Sequence, residues 1–393
     1  MLKQLENILE SRKHKNRFRK LTVMDPESTV DFSSNDFLSL GKYQPFKDSV
    51  SVKVADFCAQ TSSSLGSGGS RLLDGNCALY EGLERQIAAF HGAKSGLIFN
   101  SGFDANSGFF SCLPQPQDIV IYDELIHASV HEGMRQCRAK KRVLFKHNDV
   151  EDFERVLNQY KGESGNIFVA VEAVYSMDGD TAPLRQLYDV SDRLNREILL
   201  VVDEAHATGV LGDQGRGLVC ALGMEKQVFA RIHTFGKALS ANGAIILCHP
   251  VVRSYLINYA RSFIFTTALG QVNLLIIQAT YELLETQAAA HLQTQLWDNL
   301  QRFSTGLKDT GVHVYPPVPR SAIFSVFCDN PRSLAAHCQQ SGLVVRPIVH
   351  PTVPKGTERV RVCIHSANTA KEVDMLVHRI LEWHSQKEMR GRL

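Results

Sequence analysis

The chain has 393 residues, 44% of them hydrophobic and 21% charged, with a formal net charge of +2. This is the make-up of an ordinary soluble globule, too long for one typical core and without a charge excess that would draw it to nucleic acid. No apolar run approaches a membrane span, no secretory apolar core follows the charged start, and the nine cysteines include no Cys-x-x-Cys pair; a zinc ribbon, a redox pair and a disulfide framework are set aside, and a reducing, cytoplasmic setting fits best.

In chain order, the basic run Arg12 to Lys20 lies in a leading amphipathic pattern and reads as a solvated helix face. Gly66-Ser-Gly68-Gly69-Ser-Arg71 is glycine-rich but follows no strand, so it reads as a flexible, close-approach segment near substrate and not as a dinucleotide fingerprint. Leu79, Leu83, Ile87 and Phe90 mark one amphipathic helix, and Phe153, Val156, Leu157 and Tyr160 mark another. Around them stand six interior strands: Gly96–Phe99, Asp118–Tyr122, Asn166–Glu172, Leu199–Asp203, Arg231–Thr234 and Ala244–Leu247. The alternation predicts an α/β fold with a mostly parallel sheet and helices on both faces. One long helical stretch, Gln271 to Leu307, leads out of it. After the Pro316-Pro-Val-Pro319 punctuation a smaller α/β unit begins, with strands near Ala322–Phe327, Val344–Arg346 and Arg359–Ile364 and helices near Leu334 and Val373. The expected organisation is an N-terminal segment (1–45), a large domain (46–290) and a small C-terminal domain (291–393).

Chemistry concentrates at strand ends. Thr234-Phe-Gly-Lys237 offers a hydroxyl, a glycine and a lysine whose amine can form an imine with an aldehyde once burial lowers its pKa. Leu199-Leu-Val-Val-Asp203-Glu-Ala-His206 delivers a carboxylate and an imidazole at the carboxyl end of a buried strand, where open α/β sheets bind ligands. Asp203 is placed to pair with a protonated pyridine nitrogen and His206 to bond a phenolic oxygen; the plainer alternative is a turn-capping Asp with a satisfied His. Asn100-Ser-Gly102-Phe103-Asp-Ala-Asn106 follows a strand and precedes a helix, so its backbone amides suit a phosphate at the helix N-terminus, with Thr234 offering its hydroxyl to the same dianion. His127 follows another strand and suits stacking on a flat cofactor. His127 and His131 also have the spacing of helix-borne metal ligands, but no third ligand accompanies them, so no metal is assigned. Glu172-Ala-Val-Tyr-Ser176-Met-Asp-Gly-Asp180 is a polar cluster after a strand, or simply a tight turn closed by Gly179.

These segments, in this order, resemble the α-oxoamine synthase family of fold-type-I enzymes dependent on pyridoxal 5'-phosphate. Asp31-Phe-Ser-Ser-Asn35-Asp36-Phe, Gly66-Ser-Gly-Gly-Ser70, Ser176-Met-Asp-Gly-Asp180, Asp203-Glu-Ala-His206-Ala-Thr-Gly209, Gly215-Arg-Gly217, Thr234-Phe-Gly-Lys237 and Pro351-Thr352-Val-Pro354 carry the likeness along almost the whole chain. The resemblance implies condensation of an amino acid with an acyl thioester, carried by coenzyme A or a carrier protein, with loss of the thiol and carbon dioxide to give an α-amino ketone. It implies that Lys237 bears the cofactor and moves the α-proton, that Asp203 pairs with the ring nitrogen, that His206 and Ser176 bond the phenolic oxygen, and that His127 stacks on the ring. Gly102, Phe103 and Thr234 match positions near the phosphate. Thr266 and Thr267 match a segment reaching it from a partner subunit, which implies a homodimer with shared active sites. Arg19, Asn35, Glu172 and Thr352 match substrate-side positions.

Two departures stand out. Val349 occupies the place where bacterial members have an arginine for the amino-acid carboxylate, leaving Arg346 or His350 as substitutes, of which a guanidinium is the better carboxylate partner. Ala238-Leu-Ser240-Ala-Asn242 replaces a glycine-rich run after the lysine. Alanine and a pimeloyl thioester are the expected substrates. A sibling reaction with another amino acid and a long or polyketide acyl chain, and a non-catalytic partner subunit, are the alternatives. Gly391-Arg392-Leu393 loosely resembles a peroxisomal address, against a plain frayed terminus.

Overall fold

The structure is a computed structural model that describes residues 1–15, 17–25, 27–60 and 64–391. Its strands, in chain order, are β1 (Val30–Asp31), β2 (Ser95–Phe99), β3 (Ile119–Asp123), β4 (Lys141–Phe145), β5 (Ile167–Glu172), β6 (Leu199–Asp203), β7 (Val228–Thr234), β8 (Ala244–Cys248), β9 (Val314–Tyr315), β10 (Ile323–Phe327), β11 (Leu343–Val344), β12 (Arg346–Ile348) and β13 (Arg359–Cys363). Seven of them form one sheet in the order β2-β8-β7-β6-β5-β3-β4, parallel except for β8. Side chains alternate between its two faces. Ile119, Ile121, Val169, Val171, Leu200 and Val202 enter one apolar cluster, while Val120, Phe168, Ala170 and Val201 enter the other. Helices cover both clusters, which is why β5 is buried at every position and reads as an unbroken apolar run.

The sheet has one strand more than the sequence pattern predicts. β4 lies at its edge, and Lys141, Arg142 and Leu144 are exposed there, so its charged residues hide the strand from a search for interior runs. The long helix also divides. Gln271–Leu284 and Gln287–Leu307 are separate, with Thr286 in an extended conformation between them and neither Gly nor Pro to signal the break. Likewise the strand expected over 344–346 is two short ones, β11 and β12.

The smaller sheet, β12-β13-β10-β9, is antiparallel throughout, and helices Pro331–Gln339 and Ala370–Gly391 pack beside it. The segment before the large sheet joins this unit: β1 pairs in parallel with β11, and the Phe32 carbonyl accepts from the Cys363 N–H at 2.9 Å. That pairing fixes Asn35 beside the small sheet. Gly66–Arg71 runs along residues 265–271; the Ala268 N–H donates to the Gly69 carbonyl, and buried Arg71 pairs with Glu84. Among the described residues no helix is long and apolar enough to cross a membrane.

Candidate active site

Parallel strands place their last residues along one edge. There β3 ends at Asp123, β5 at Glu172, β6 at Asp203 and β7 at Thr234, with Glu172 directly opposite Asp203. The loop after β7 is tied by Phe235 N–H to Gly243 O (2.9 Å) and Ala241 N–H to Phe235 O (2.9 Å), and it turns Lys237 back over that edge. Lys237 Nζ lies 2.8 Å from His206 Nε2. Burial lowers the lysine pKa to about 8, although the charges of Asp203 and Glu172 pull it upward. Burial and the lysine's charge press His206 well below its usual range, so its ring is neutral at pH 7. Burial and the neighbouring Asp203 push Glu172 well above the ordinary carboxylate range. Asp203 is held by Asn106 Nδ2 at 2.7 Å and by the Ala205 N–H at 2.9 Å.

Above this edge opens a cavity of about 980 Å³. Lys237, His206, Ser176, His127, Asn35 and Thr352 all line it, which brings six of the expected residues to one place. The His127 ring is open to the cavity, and its Nδ1 is within 2.7 Å of Ser129 Oγ. Helix Gly102–Cys112 starts beside Thr234: a Cβ on Gly102 would lie 3.5 Å from Thr234 Oγ1. Its N-cap Ser101 takes the Asp104 N–H at 3.0 Å and, through its carbonyl, the Ala105 N–H at 3.0 Å. The N–H groups of Gly102 and Phe103 are left facing outward from the helix start. Thr266 Oγ1 and the Thr267 carbonyl accept from Asn100 Nδ2 at 3.2 and 2.6 Å, so this segment stands at the entry to the same helix. Arg19 is exposed, and Arg346 reaches Thr22 at 3.5 Å; neither lines the cavity.

A family model described as aminotransferase class I and II matches residues 27–380. The chain is 48% identical to an 8-amino-7-oxononanoate synthase of Emericella nidulans, over 98% of this chain and 96% of that one. The chain belongs to the α-oxoamine synthases. It is 35% identical to an aminoacyl transferase, sphA, of Aspergillus fumigatus, over 91% of this chain and 81% of that one. It also superposes on a serine palmitoyltransferase of S. paucimobilis solved with a pyridoxal phosphate–myriocin adduct, with a TM-score of 0.84 and 25% identity over 96% of both chains.

As an α-oxoamine synthase the protein is a pyridoxal phosphate-dependent acyltransferase of fold type I. Its residues fit that cofactor on structural grounds. His206 Nδ1 and Glu172 Oε1 are buried beside Lys237 with no hydrogen-bond partner among the described residues, a buried carboxylate stands at the strand edge, and a helix start offers amides next to a threonine hydroxyl.

Two residues of this α-oxoamine synthase site escape a reading of its sequence. Asn106 shows no signal of its own, being one of several polar residues, with Asp104, Ser107 and Ser111, along the helix. Arg361 does show one. β13 is buried at every position yet carries arginines at 359 and 361, two apart and therefore on one face. Arg361 Nη2 donates to Asn35 Oδ1 at 2.9 Å and its Nε to the Ser176 carbonyl at 2.7 Å, at the cavity wall.

Proposed function

We propose that this chain condenses L-alanine with a pimeloyl thioester to 8-amino-7-oxononanoate, releasing carbon dioxide and the free thiol. The identity to the Emericella nidulans enzyme over nearly the full length of both chains is the observation that carries this reading. When bound, pyridoxal phosphate supplies an electron sink for charge developing at the amino-acid α-carbon. Lys237 holds its aldehyde and, when released, takes and returns the α-proton at Nζ, for which a pKa of about 8 suits an amine working near neutrality. Asp203 faces the ring nitrogen, His206 and Ser176 the phenolic oxygen, and His127 the ring face, while Gly102, Phe103 and Thr234 take the phosphate. Arg361, steadied by Asn35, grips the amino-acid carboxylate in place of the missing arginine at Val349; its position in the cavity favours it over Arg346. The wall beyond, with Tyr315, Phe327, Val353 and Pro354, receives the acyl chain.

The active unit in this reading is a homodimer in which Thr266 and Thr267 complete the partner's phosphate site. The exposed apolar side chains of Leu65, Leu72, Leu73, Phe103 and Phe265 support a surface that is covered in the working enzyme. The chain divides at about residues 45 and 290. The nine free cysteines support a cytoplasmic location. Arg392 and Leu393 lie outside the described residues, and a fluorescent fusion that leaves the terminal tripeptide free reports whether the address is peroxisomal.

Mass spectrometry on the cofactor-loaded protein with alanine and pimeloyl-coenzyme A tests the main reading. The expected product is 8-amino-7-oxononanoate with one free thiol for each molecule formed. Thiol release with serine or a long-chain acyl donor, and none with alanine and the pimeloyl donor, assigns the sibling reaction instead. No thiol from any pairing leaves the partner-subunit alternative.

A further inference from the structure

The turn Tyr175–Asp180 after β5 is held residue by residue. Its Ser176 carbonyl accepts from Arg361 Nε (2.7 Å), its Met177 carbonyl from Ser325 Oγ (2.8 Å) and its Gly179 carbonyl from Ser321 Oγ (2.8 Å). Asp178 pairs with Arg359, and Asp180 Oδ2 accepts from the Tyr315 hydroxyl at 3.1 Å. Five consecutive residues are therefore gripped by the unit that carries β9, β10 and β13. On its other side the turn meets two side chains from the residues just after β4, His147 and Asn148, the latter donating from Nδ2 to Asp180 Oδ2 at 2.8 Å.

His147 Nδ1 lies 3.0 Å from Asp123 Oδ1 and its Nε2 lies 2.9 Å from Asp180 Oδ2. A neutral imidazole has one donor and one acceptor, so one carboxylate would face a lone pair; both contacts are satisfied only by the doubly protonated ring. The Tyr175 ring packs edge-on against it at 4.4 Å. Every ionisable group facing the imidazole from its neighbours favours the cation. Asp123 ends β3, Asp180 and Asp178 belong to the turn, and Glu124 Oε1 takes the His147 backbone N–H at 3.0 Å. Burial alone would lower the His147 pKa, but the hydrogen bonds and charges of Asp123 and Asp180 outweigh it and raise the value to about 10. His147 itself borders the cavity, on the side of Tyr175 and Ser176.

We propose that His147 is a positioning residue for the amino-acid substrate: bridging Asp123 and Asp180, it clamps the Tyr175–Asp180 turn to the end of β3 and so fixes Ser176 and Arg361 where the substrate carboxylate is taken up. Its effect passes through the turn. Without the imidazolium only Asn148 spans the two carboxylates, through its N–H to Asp123 Oδ2 (2.9 Å) and its Nδ2 to Asp180 Oδ2 (2.8 Å); the weakened turn shifts against the small sheet, and the Ser176 carbonyl no longer orients the Arg361 guanidinium. The inference rests on the reading that Arg361 takes the carboxylate.

Calorimetric titration of the cofactor-loaded full chain with alanine, from pH 7 to 10.5, tests it in wild type and His147→Gln. Glutamine donates to one carboxylate at most. At pH 8 the variant is expected to bind alanine at least tenfold more weakly while still holding one cofactor per chain. The ratio of the two dissociation constants cancels the titrations of alanine and Lys237, and it should close toward one above about pH 10, where wild type loses the same proton. A purely structural histidine lowers the melting temperature without producing that pH-dependent ratio. A ratio within twofold of one at pH 8, or one unchanged up to pH 10.5, overturns the proposal. Should His147→Gln fail to fold or to load, Ser325→Ala removes one of the turn's contacts, the hydrogen bond to the Met177 carbonyl. It should raise the KM for alanine severalfold with kcat nearly unchanged, and a KM equal to wild type overturns the proposal as well. If Arg361→Ala binds alanine as wild type does, it is the carboxylate reading that has failed, whatever His147 does.

Discussion

Lys237 Nζ and His206 Nε2 stand 2.8 Å apart at the carboxyl edge of the large sheet. The contact joins an amine whose pKa burial has lowered to about 8 to an imidazole that burial keeps neutral. At pH 7 about a tenth of such amines are unprotonated, against well under one in a thousand for an ordinary lysine. Covalent capture of pyridoxal phosphate by the cofactor-free protein should therefore accelerate with rising pH and reach half its limiting rate near pH 8, not near 10.5. Stopped-flow absorbance gives that profile. Lys237→Arg keeps the cation but forms no imine, and it should show no capture at any pH. A half-point above pH 9.5 in wild type would mean that the amine is not desolvated as the geometry requires.

Arg361 meets Asn35 through Nη2 and the Ser176 carbonyl through Nε, which fixes the plane of its guanidinium at the cavity wall. A hydrogen bond to a charged group is worth roughly 1.5–3 kcal/mol, equivalent to about 10- to 100-fold in affinity. Arg361→Ala should raise the KM for alanine by about that factor while cofactor affinity stays within a few-fold of wild type. Arg361→Lys should recover only part of the loss, because a point charge lacks the planar fork. Steady-state kinetics together with cofactor titration separate the two effects.

Much of this site is legible in the sequence, because strands buried on both faces leave uninterrupted apolar runs and the polar residue that ends each run marks the ligand-binding edge. Asp203, Thr234 and Lys237 stand out for that reason. β4 does not, since Lys141 and Arg142 face solvent at the sheet edge. The break at Thr286 is equally silent, being made by backbone conformation without Gly or Pro. Arg361 and Asn35 are 326 positions apart in the chain, and only the pairing of β1 with β11 and the return of β13 bring them together. The grip on residues 176–180 is hidden in the same way, because its donors are scattered between 315 and 361.

Gly179 tests that grip from the backbone. Its φ is +78°, and a Cβ added there would run into the Ile323 carbonyl of β10. Left-handed strain for a residue with a Cβ costs roughly 1–2 kcal/mol, and displacing packed backbone adds about 1–3 more. Gly179→Ala should therefore lose about 2–5 kcal/mol in urea denaturation and weaken alanine binding along with it, since Ser176 moves with the turn. Gly82, in a helix with nothing within 4 Å of an added Cβ, is the control. Gly82→Ala should be neutral or stabilising by up to about 1 kcal/mol. Equal stability of the two variants would show that the turn can move away from β10 at little cost.

Asn106 acts at one remove from the reacting atoms. It is buried in helix Gly102–Cys112, and its Nδ2 donates to Asp203 Oδ2 at 2.7 Å. That bond holds the Asp203 carboxylate in one orientation at the strand edge; without it the carboxylate can turn away from the place the proposed function gives the cofactor's ring nitrogen. Asn106→Leu should lower kcat about tenfold, the equivalent of one charge-assisted hydrogen bond at roughly 1.5 kcal/mol. The KM for alanine should change little, because Arg361, the proposed carboxylate partner, shares no hydrogen bond with Asn106. The split between the two constants decides the point: a KM that rises as far as kcat falls would mean that the substitution disturbs the packing of the helix start, not the orientation of Asp203 alone.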